Sequence, residues 1–135
     1  MEREEIVARA RIVGQQRNYV EREVERMMLS MLDLNNSLTT IEHMKDESGL
    51  VPVGGGAFIK AKLDAKKVYI PIGANYIVEY GVDEAKTEID KRMKMTENAI
   101  QTMKGEMKKI DEEFMRLEKA YKESSAEGGV HEEAG

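Results

Sequence analysis

Apolar side chains recur at alternating steps of four and three residues along the first part of the chain. They are Ile6, Ala10, Val13, Val20, Val24, Met27, Met31, Leu34, Leu38 and Ile41. A seven-residue repeat of this kind keeps one seam of a helix facing a partner helix and imposes a left-handed supercoil. Arg17 is the one charged residue in the series, and residues beside the seam are charged, as in Glu21-Arg22-Glu23. The pattern predicts a coiled-coil helix over residues 2–46.

The same spacing returns near the end of the chain and predicts a second coiled-coil helix over residues 83–123. Its seam consists of Val82, Ile89, Met93, Ile100, Met103, Met107, Ile110, Phe114, Leu117 and Tyr121, with Lys86 and Thr96 at the two remaining positions. Two similar helices that flank one short insert are expected to fold back and pair antiparallel. If the fold-back is centred near Asp64, Arg17 lies beside Asp111 and Glu112, whose carboxylates would neutralise it.

The insert between the helices, residues 49–81, contains both prolines and an internal repeat. Val51-Pro52-Val53-Gly54 is echoed by Ile70-Pro71-Ile72-Gly73, and each copy leads through a glycine-containing turn into a second apolar run. Both copies therefore predict a β-hairpin. In the first hairpin, Ile59 and Ala61 are expected on one face, with Lys60 on the other. The fold class is α+β, a long antiparallel coiled coil with two central β-hairpins.

Four short strands leave exposed edges and an uncovered apolar face, and such edges pair readily with another chain. The insert is therefore interpreted as an assembly module. The candidate assembly residues are Val51, Val53, Phe58, Ile59, Ala61, Leu63, Val68, Ile70, Ile72, Tyr76 and Val78. Residues 124–135 are rich in serine, glycine and glutamate, which predicts a disordered acidic tail.

Composition excludes several classes of function. Charged residues make up 35% of the 135-residue chain and aromatic residues 5%, which is too little large apolar material for a globular core of this length. The net charge of -5 argues against a nucleic-acid partner. The chain has no cysteine, and no apolar run reaches the length of a membrane span. We therefore expect no membrane association and a cytoplasmic location.

Catalytic and metal-binding motifs are not expected either. Gly54-Gly55-Gly56 lacks the lysine and the following helix of a phosphate-binding loop, and a tight hairpin turn explains it better. His43 and His131 are the two histidines, and neither has ligands at metal-binding spacing. The sequence predicts no enzyme activity, no cofactor and no metal.

This order of elements resembles the prefoldin family. The stretch Val51 to Ala61, VPVGGGAFIKA, is similar to the first hairpin of an alpha-type subunit, and Ile70 to Glu79, IPIGANYIVE, is similar to the second. Two hairpins distinguish the alpha type from the beta type, which has one. The resemblance covers the chain except its tail.

The resemblance implies a hexamer of two alpha-type and four beta-type subunits, whose hairpins join into an intersubunit β-barrel. It also implies that arm tips hold unfolded client proteins without ATP and pass them to a group II chaperonin in an archaeal cytoplasm. If the last heptads part slightly, the client-binding candidates are Ile6, Val7, Ala10, Val13, Phe114, Leu117 and Tyr121. The plainer interpretation is that these residues are ordinary buried seam positions.

Two other functions stay open. A structural protein could assemble with itself through its hairpins, even into filaments, and an adaptor could bind one folded partner. Gly14 and Gly105 lie inside helical patterns. They either loosen the outer part of the coiled coil or are tolerated surface glycines.

Overall fold

The computed structural model describes the backbone of residues 2–134 and the side chains of residues 2–124. Two long helices flank four strands. The helices are α1, Arg3–His43, and α2, Val82–Ala134, and the strands are β1, Ser48–Gly54, β2, Ala57–Lys62, β3, Lys67–Gly73, and β4, Tyr76–Gly81. The predicted order of helix, two hairpins and helix is confirmed.

Helix α2 continues beyond the predicted end at Glu123. The sequence predicts a disordered tail over residues 124–135, whereas the helix runs through Ala134. The segment contains no proline, and the high helix propensity of Ala126, Glu127 and Glu132 acts against the low propensity of Gly128 and Gly129. The side chains of residues 125–135 lie outside the described part of the chain.

The chain divides into two compact units. The first unit comprises Met1–Leu29 and Glu97–Gly135, and the second comprises Ser30–Thr96. Each unit contains one stretch of α1 and one stretch of α2, and the second also contains all four strands.

In the first unit the two helices pair antiparallel around a closed apolar seam. Ile6, Val13 and Leu117 are buried and form one cluster, against which Ala10, Ile110 and Ala120 pack. Arg3 contacts Tyr121, while Arg17 contacts Asp111, so numbers rise along α1 as they fall along α2. The seven-residue pattern thus produces the pairing that the sequence predicts.

In the second unit the strands form two separate antiparallel hairpins. Hairpin 1 is β1–β2 and hairpin 2 is β3–β4. Val51 lies opposite Ile59 in hairpin 1, and Ile70 lies opposite Val78 in hairpin 2. Each register shifts between the proline and the glycine of the repeated motif, so both copies carry the same bulge.

The two hairpin turns require left-handed backbone. Gly55 and Gly56 have φ values of 58° and 78°, and Ala74 and Asn75 have φ values of 49° and 65°. Two consecutive central residues with positive φ are typical of the type I′ turn, whose twist matches that of the flanking strands. The internal repeat therefore folds as two copies of one structural unit.

The core of the second unit lies between hairpin 2 and the helices. Ile41, Ile70, Ala85 and Ile89 are buried together, and Leu34, Leu38, Val68, Tyr80, Val82 and Met93 pack against them. Arg92 strengthens this contact, since its Nη2 donates a hydrogen bond of 3.1 Å to the Pro71 carbonyl oxygen. Hairpin 2 is thus anchored on the helices of its own chain.

Candidate functional surfaces

The structure separates the seven client-binding candidates into two groups. Ile6, Val13 and Leu117 are buried at 2%, 0% and 7% exposure, and Ala10 is half-buried beside them. These four side chains form the closed seam of the first unit, in agreement with the plainer interpretation of the pattern. Their apolar surface is unavailable to a client while the helices stay paired.

The other three candidates are exposed. Val7, Phe114 and Tyr121 expose 44%, 40% and 37% of their surface. Phe114, Leu117 and Tyr121 were all predicted at seam positions, but only Leu117 is buried there, with Ala120 packed in the same cluster, and the two aromatic rings stay exposed. The accessible apolar surface of this unit therefore lies beside the seam.

Gly14 and Arg3 shape this surface. A Cβ atom added to Gly14 would lie 3.9 Å from Cε2 of Phe114, so the glycine leaves a shallow notch next to the ring. Arg3 Nη2 donates a hydrogen bond of 2.8 Å to the hydroxyl of Tyr121, and the Arg3 guanidinium carbon lies 4.6 Å from the ring centroid. The two aromatic rings thus have different neighbours, a notch and a cation.

Two interhelical ion pairs flank the seam. Arg9 Nη2 lies 2.8 Å from Glu113 Oε1, and Arg17 Nε donates a 2.8 Å hydrogen bond to Asp111 Oδ1. The predicted approach of Arg17 to Asp111 is therefore confirmed. The hydrogen bond that Arg17 donates to Asp111, together with the attraction of the Asp111 carboxylate, raises the pKa of Arg17 above its ordinary value. The residue stays charged inside an otherwise apolar series.

The sequence interpretation missed five exposed apolar residues among the described residues of this unit. They are Ile12, Tyr19, Met28, Leu29 and Met115, and Met115 exposes the largest fraction of its surface, 68%. All five fall outside the seven-residue series, so none was considered as a candidate. An apolar residue at a position that the repeat assigns to solvent is the signal that could have found them.

The candidate assembly residues also divide by burial. In hairpin 2, Ile70 is buried at 6% exposure, Val68 is half-buried against the helices and Val78 is half-buried opposite Ile70, whereas Ile72 and Tyr76 near the turn are exposed. In hairpin 1, Val51 and Ile59 expose 37% and 54%. The remaining exposed candidates are Val53, Phe58 and Leu63, and Ala61 is half-buried.

Hairpin 1 therefore leaves exposed the apolar face whose equivalent in hairpin 2 packs against the helices. Val51 and Ile70 occupy the same position of the repeated motif, as do Ile59 and Val78. Among the described residues, hairpin 1 contributes no side chain to the buried cluster on the helices, and Leu63 lies against Gly49 within the same hairpin region. Hairpin 1 is the part of the insert best placed to contact another chain.

Charged side chains lie along the opposite face of hairpin 2. Lys67 Nζ lies 3.1 Å from Glu79 Oε1, and the Tyr69 hydroxyl donates a hydrogen bond of 3.3 Å to the same oxygen. The hydrogen bond with Glu79, and then the attraction of its carboxylate, raise the pKa of Lys67 above its ordinary value.

A groove of about 480 Å³ lies between β3 and α1, with Ile41 and Ile70 among its lining residues.

A metal-binding cluster does not form among the described residues. Within residues 2–124, no three His, Cys, Asp or Glu side chains come together in a way that could hold a metal ion. No helix in the described part of the chain combines the length and the apolar character needed to cross a membrane. The described surfaces offer apolar and electrostatic contact.

Comparison with known proteins agrees with this arrangement. The family model described as "Prefoldin subunit" matches residues 13–127. Prefoldin subunit alpha of Methanococcus aeolicus is 36% identical over a stretch covering 64% of this chain and 61% of that protein, so the match spans about three fifths of that relative. Prefoldin subunit alpha 1 of Methanocaldococcus jannaschii is 33% identical, covering 75% of this chain and 70% of that protein.

A solved structure shows the same fold. The filamentous PFD of Methanocaldococcus jannaschii, solved by cryo-electron microscopy, matches with a TM-score of 0.68 at 22% identity, covering 79% of this chain and 93% of that chain. Its likeness concerns the fold alone, while the family match and the relatives concern the sequence. The chain therefore belongs to the prefoldin family, as a subunit of the alpha type.

Proposed function

We propose that the chain is a subunit of an ATP-independent holding chaperone, which captures unfolded proteins on its coiled coil and passes them to a group II chaperonin in an archaeal cytoplasm. The observation that supports this most directly is the exposed apolar surface formed by Val7, Phe114 and Tyr121 beside a closed seam. A holder needs apolar surface that stays accessible instead of collapsing into its own core. Each contact is weak, and several subunits that engage one client raise the effective concentration.

Assembly with beta-type subunits supplies that multivalency in the proposal. The uncovered face of hairpin 1 and the free edges of four short strands support a hexamer of two alpha-type and four beta-type subunits joined by a β-barrel. The groove between β3 and α1 offers further contact area next to hairpin 2. Residues 2–124 form no metal-holding cluster, and a function that rests on apolar contact needs none.

The test is light scattering of an unfolded protein diluted into buffer without nucleotide. The chain is first co-assembled with a beta-type subunit, either intact or without residues 1–13 and 114–135. We expect the intact complex to suppress scattering and the trimmed complex, assembled to the same size, to have lost this effect. Equal scattering with and without the intact complex would contradict the holding function.

A structural homo-oligomer is the second candidate function. The filamentous neighbour of similar fold and the uncovered hairpin 1 favour it. A protein that assembles with itself through free strand edges should grow with concentration, whereas a subunit awaiting beta-type partners should stay small. Sedimentation velocity of the purified chain over a wide concentration range distinguishes these outcomes.

A further inference from the structure

Strand β3 of hairpin 2 has one edge that no other strand covers within residues 2–134. β4 pairs with β3 along one edge, and the two hairpins form separate sheets. The groove beside β3 is lined by Val68, Tyr69, Ile70 and Pro71 on one side and by α1 on the other. Alternate residues of a strand point to opposite faces, so a groove lined by four consecutive residues follows the edge of the strand. The groove therefore runs along the uncovered edge of β3.

An uncovered edge of this composition is suited to pairing with an identical strand. Apart from Lys67, Pro71 and Gly73, β3 consists of β-branched and aromatic residues, which favour strands. A free edge presents unpaired N–H and C=O groups, and the same strand of a second copy can pair with them around a two-fold axis. Tyr69 and Ile72 expose 63% and 55% of their surface, so apolar contact would add to such pairing. The partner that fits this edge is β3 of a second copy of the chain.

Arg92 of α2 occupies this edge. Its Nη2 donates a hydrogen bond of 3.1 Å to the Pro71 carbonyl oxygen, and its side chain lines the groove beside β3. Arg92 Nε lies 3.3 Å from Glu88 Oε1, one helical turn earlier, and this contact orients the guanidinium. An added strand would lie about 4.8 Å from β3, in the space that the guanidinium fills. It could pair at Pro71 only after displacing Arg92 from its acceptor.

The internal repeat provides a comparison for this contact. Pro52 is the equivalent residue of hairpin 1, and both prolines lack the N–H group that a strand donates to its neighbour. At Pro71 a side chain also occupies the carbonyl acceptor, whereas no side chain of residues 2–124 donates to the carbonyl of Pro52. Hairpin 2 therefore has a closing contact on its edge that hairpin 1 lacks.

We propose that Arg92 determines the specificity of assembly by closing the edge of β3 against strand addition by a second copy of this chain. The inference rests on the proposed function as a subunit that joins beta-type partners, and it names the edge that self-assembly would otherwise use. Side chains of a partner can still enter the groove, but a partner's backbone does not pair with β3 at Pro71. Loss of Arg92 opens the edge and favours pairing of two β3 strands.

A single introduced cysteine detects pairing of β3, because the natural chain has none. Tyr69→Cys places a thiol on an exposed position of β3, and Ile72→Cys, in a separate chain, samples a second register. Facing Cα atoms of antiparallel strands lie about 4.5–5.5 Å apart, within the range that a disulfide spans. The purified full-length chain is oxidised with diamide, and disulfide-linked dimers are quantified on a non-reducing gel. Leu50→Cys marks the position of hairpin 1 that is equivalent to Tyr69.

We expect Arg92→Met to increase the linked dimer of the Tyr69→Cys chain about tenfold, since a charge-assisted hydrogen bond no longer opposes pairing. Arg92→Lys keeps a charged donor and should restore most of the closure. Lys94→Met is the matched control, because Lys94 pairs at 3.3 Å with Asp90 on its own helix, and it should leave the dimer within about twofold. Dimers linked through Leu50→Cys should not change when Arg92 is replaced.

Ile89→Ala separates an opened edge from a loosened hairpin. Ile89 is buried together with Ile70, so its truncation weakens the packing of hairpin 2 while Arg92 remains. An equal rise of the Tyr69→Cys dimer in Ile89→Ala and Arg92→Met, or no rise in Arg92→Met, would overturn the closing role while the proposed function stands. A Tyr69→Cys chain that is already fully linked with Arg92 in place would overturn the closing role and favour the homo-oligomer. Circular dichroism verifies that the helices of every variant persist.

Discussion

Arg17 and Asp111 connect the two helices of the first unit by a hydrogen bond of 2.8 Å from Arg17 Nε to Asp111 Oδ1. Arg17 Nη1 also lies 3.2 Å from Glu21 Oε2 on its own helix. Nearly half of the Arg17 and Asp111 side chains is exposed, at 41% and 49%, so water and salt screen the pair. Exposed pairs of this kind contribute little to stability. The ion pair at this seam position therefore stabilises the paired helices less than apolar contact at the same position would.

We accordingly expect Arg17→Met to raise the urea midpoint of unfolding. Methionine would add apolar contact at a seam position, and Asp111 keeps enough exposure to be solvated by water. The variant should also lose part of the dependence of its midpoint on sodium chloride. Arg26→Met is the matched control. Arg26 pairs with Glu23 at 2.7 Å on its own helix, so this substitution removes an ion pair that does not connect the two helices. A lower midpoint for Arg17→Met than for the wild type would show that the ion pair outweighs apolar contact.

The two copies of the hairpin motif should respond differently to the same substitution. Ile70→Ala removes a buried side chain from the core of the second unit and should lower the free energy of unfolding by about 2–4 kcal/mol. Val51→Ala, at the equivalent position of hairpin 1, should cost less than about 1 kcal/mol. Urea unfolding of the separate chain measures both.

Assembly with other subunits should instead depend more on Val51 of hairpin 1 than on Ile70 of hairpin 2. Val51→Asp places a charge on the uncovered face of hairpin 1, and we expect it to prevent co-assembly with a beta-type subunit while leaving the helical content of the chain unchanged. Size-exclusion chromatography with light scattering measures the assembly. Normal complexes formed by Val51→Asp would exclude this face of hairpin 1 from the subunit contact.

The turn of hairpin 2 contains a residue in an unfavourable conformation. Ala74 has a φ of 49°, a left-handed conformation that costs an L-residue about 1 kcal/mol or more. Gly55 occupies the equivalent position in hairpin 1 at a φ of 58°. We expect Ala74→Gly to raise the free energy of unfolding by about 1 kcal/mol, as measured in urea. Gly55→Ala is the mirror experiment and should lower it, and a destabilised Ala74→Gly would contradict the argument.

Gly105 should be replaceable with a gain in stability. It lies in the interior of α2, is exposed, and has no atom within 4 Å of the position of an added Cβ. Gly105→Ala should therefore raise the free energy of unfolding by about 1 kcal/mol, the difference in helix propensity between the two residues. If the substitution also leaves client binding unchanged, Gly105 is a tolerated surface glycine. Weaker client binding by this variant would instead support the alternative that the glycine loosens the coiled coil.

The sequence predicted the architecture because each element has its own period. The seven-residue repeat located both helices and brought Arg17 to Asp111, and the repeated motif at Val51 and Ile70 located both hairpins. The motif could not show which hairpin is covered, because its two copies are nearly identical in polarity. Tertiary packing against Ile41 and Ile89 makes that difference.

The client-binding candidates show where periodicity stops being informative. The repeat places Phe114 and Leu117 in the same seam, but Leu117 is buried and packs with Ala120, whereas Phe114 stays exposed. Val7 was assigned beside the seam from its position alone, and it is exposed. The Arg9–Glu113 ion pair beside the seam joins residues far apart in sequence, and the period of a single helix cannot predict it.

The stability of hairpin 2 should depend on alkaline pH through Lys67. Its hydrogen bond and attraction to Glu79 raise the pKa of Lys67 above the ordinary value of 10.5. A raised folded-state pKa means that the stabilisation is complete below pH 10.5 and disappears as the pH rises through the folded-state pKa. The difference in unfolding midpoint between the wild type and Lys67→Met should therefore be constant from neutral pH upward and then vanish in strong alkali.

The attraction of Tyr69 adds to the rise in the pKa of Lys67, so the experiment also needs a background that lacks the Tyr69 hydroxyl. Tyr69→Phe serves as the control, because it removes the hydroxyl bonded to Glu79 and leaves the Lys67–Glu79 contact in place. The pH dependence should persist in Tyr69→Phe and be absent in Tyr69→Phe/Lys67→Met. A difference between wild type and Lys67→Met that stays constant into strong alkali would show that Glu79 does not stabilise the lysine charge in the folded chain.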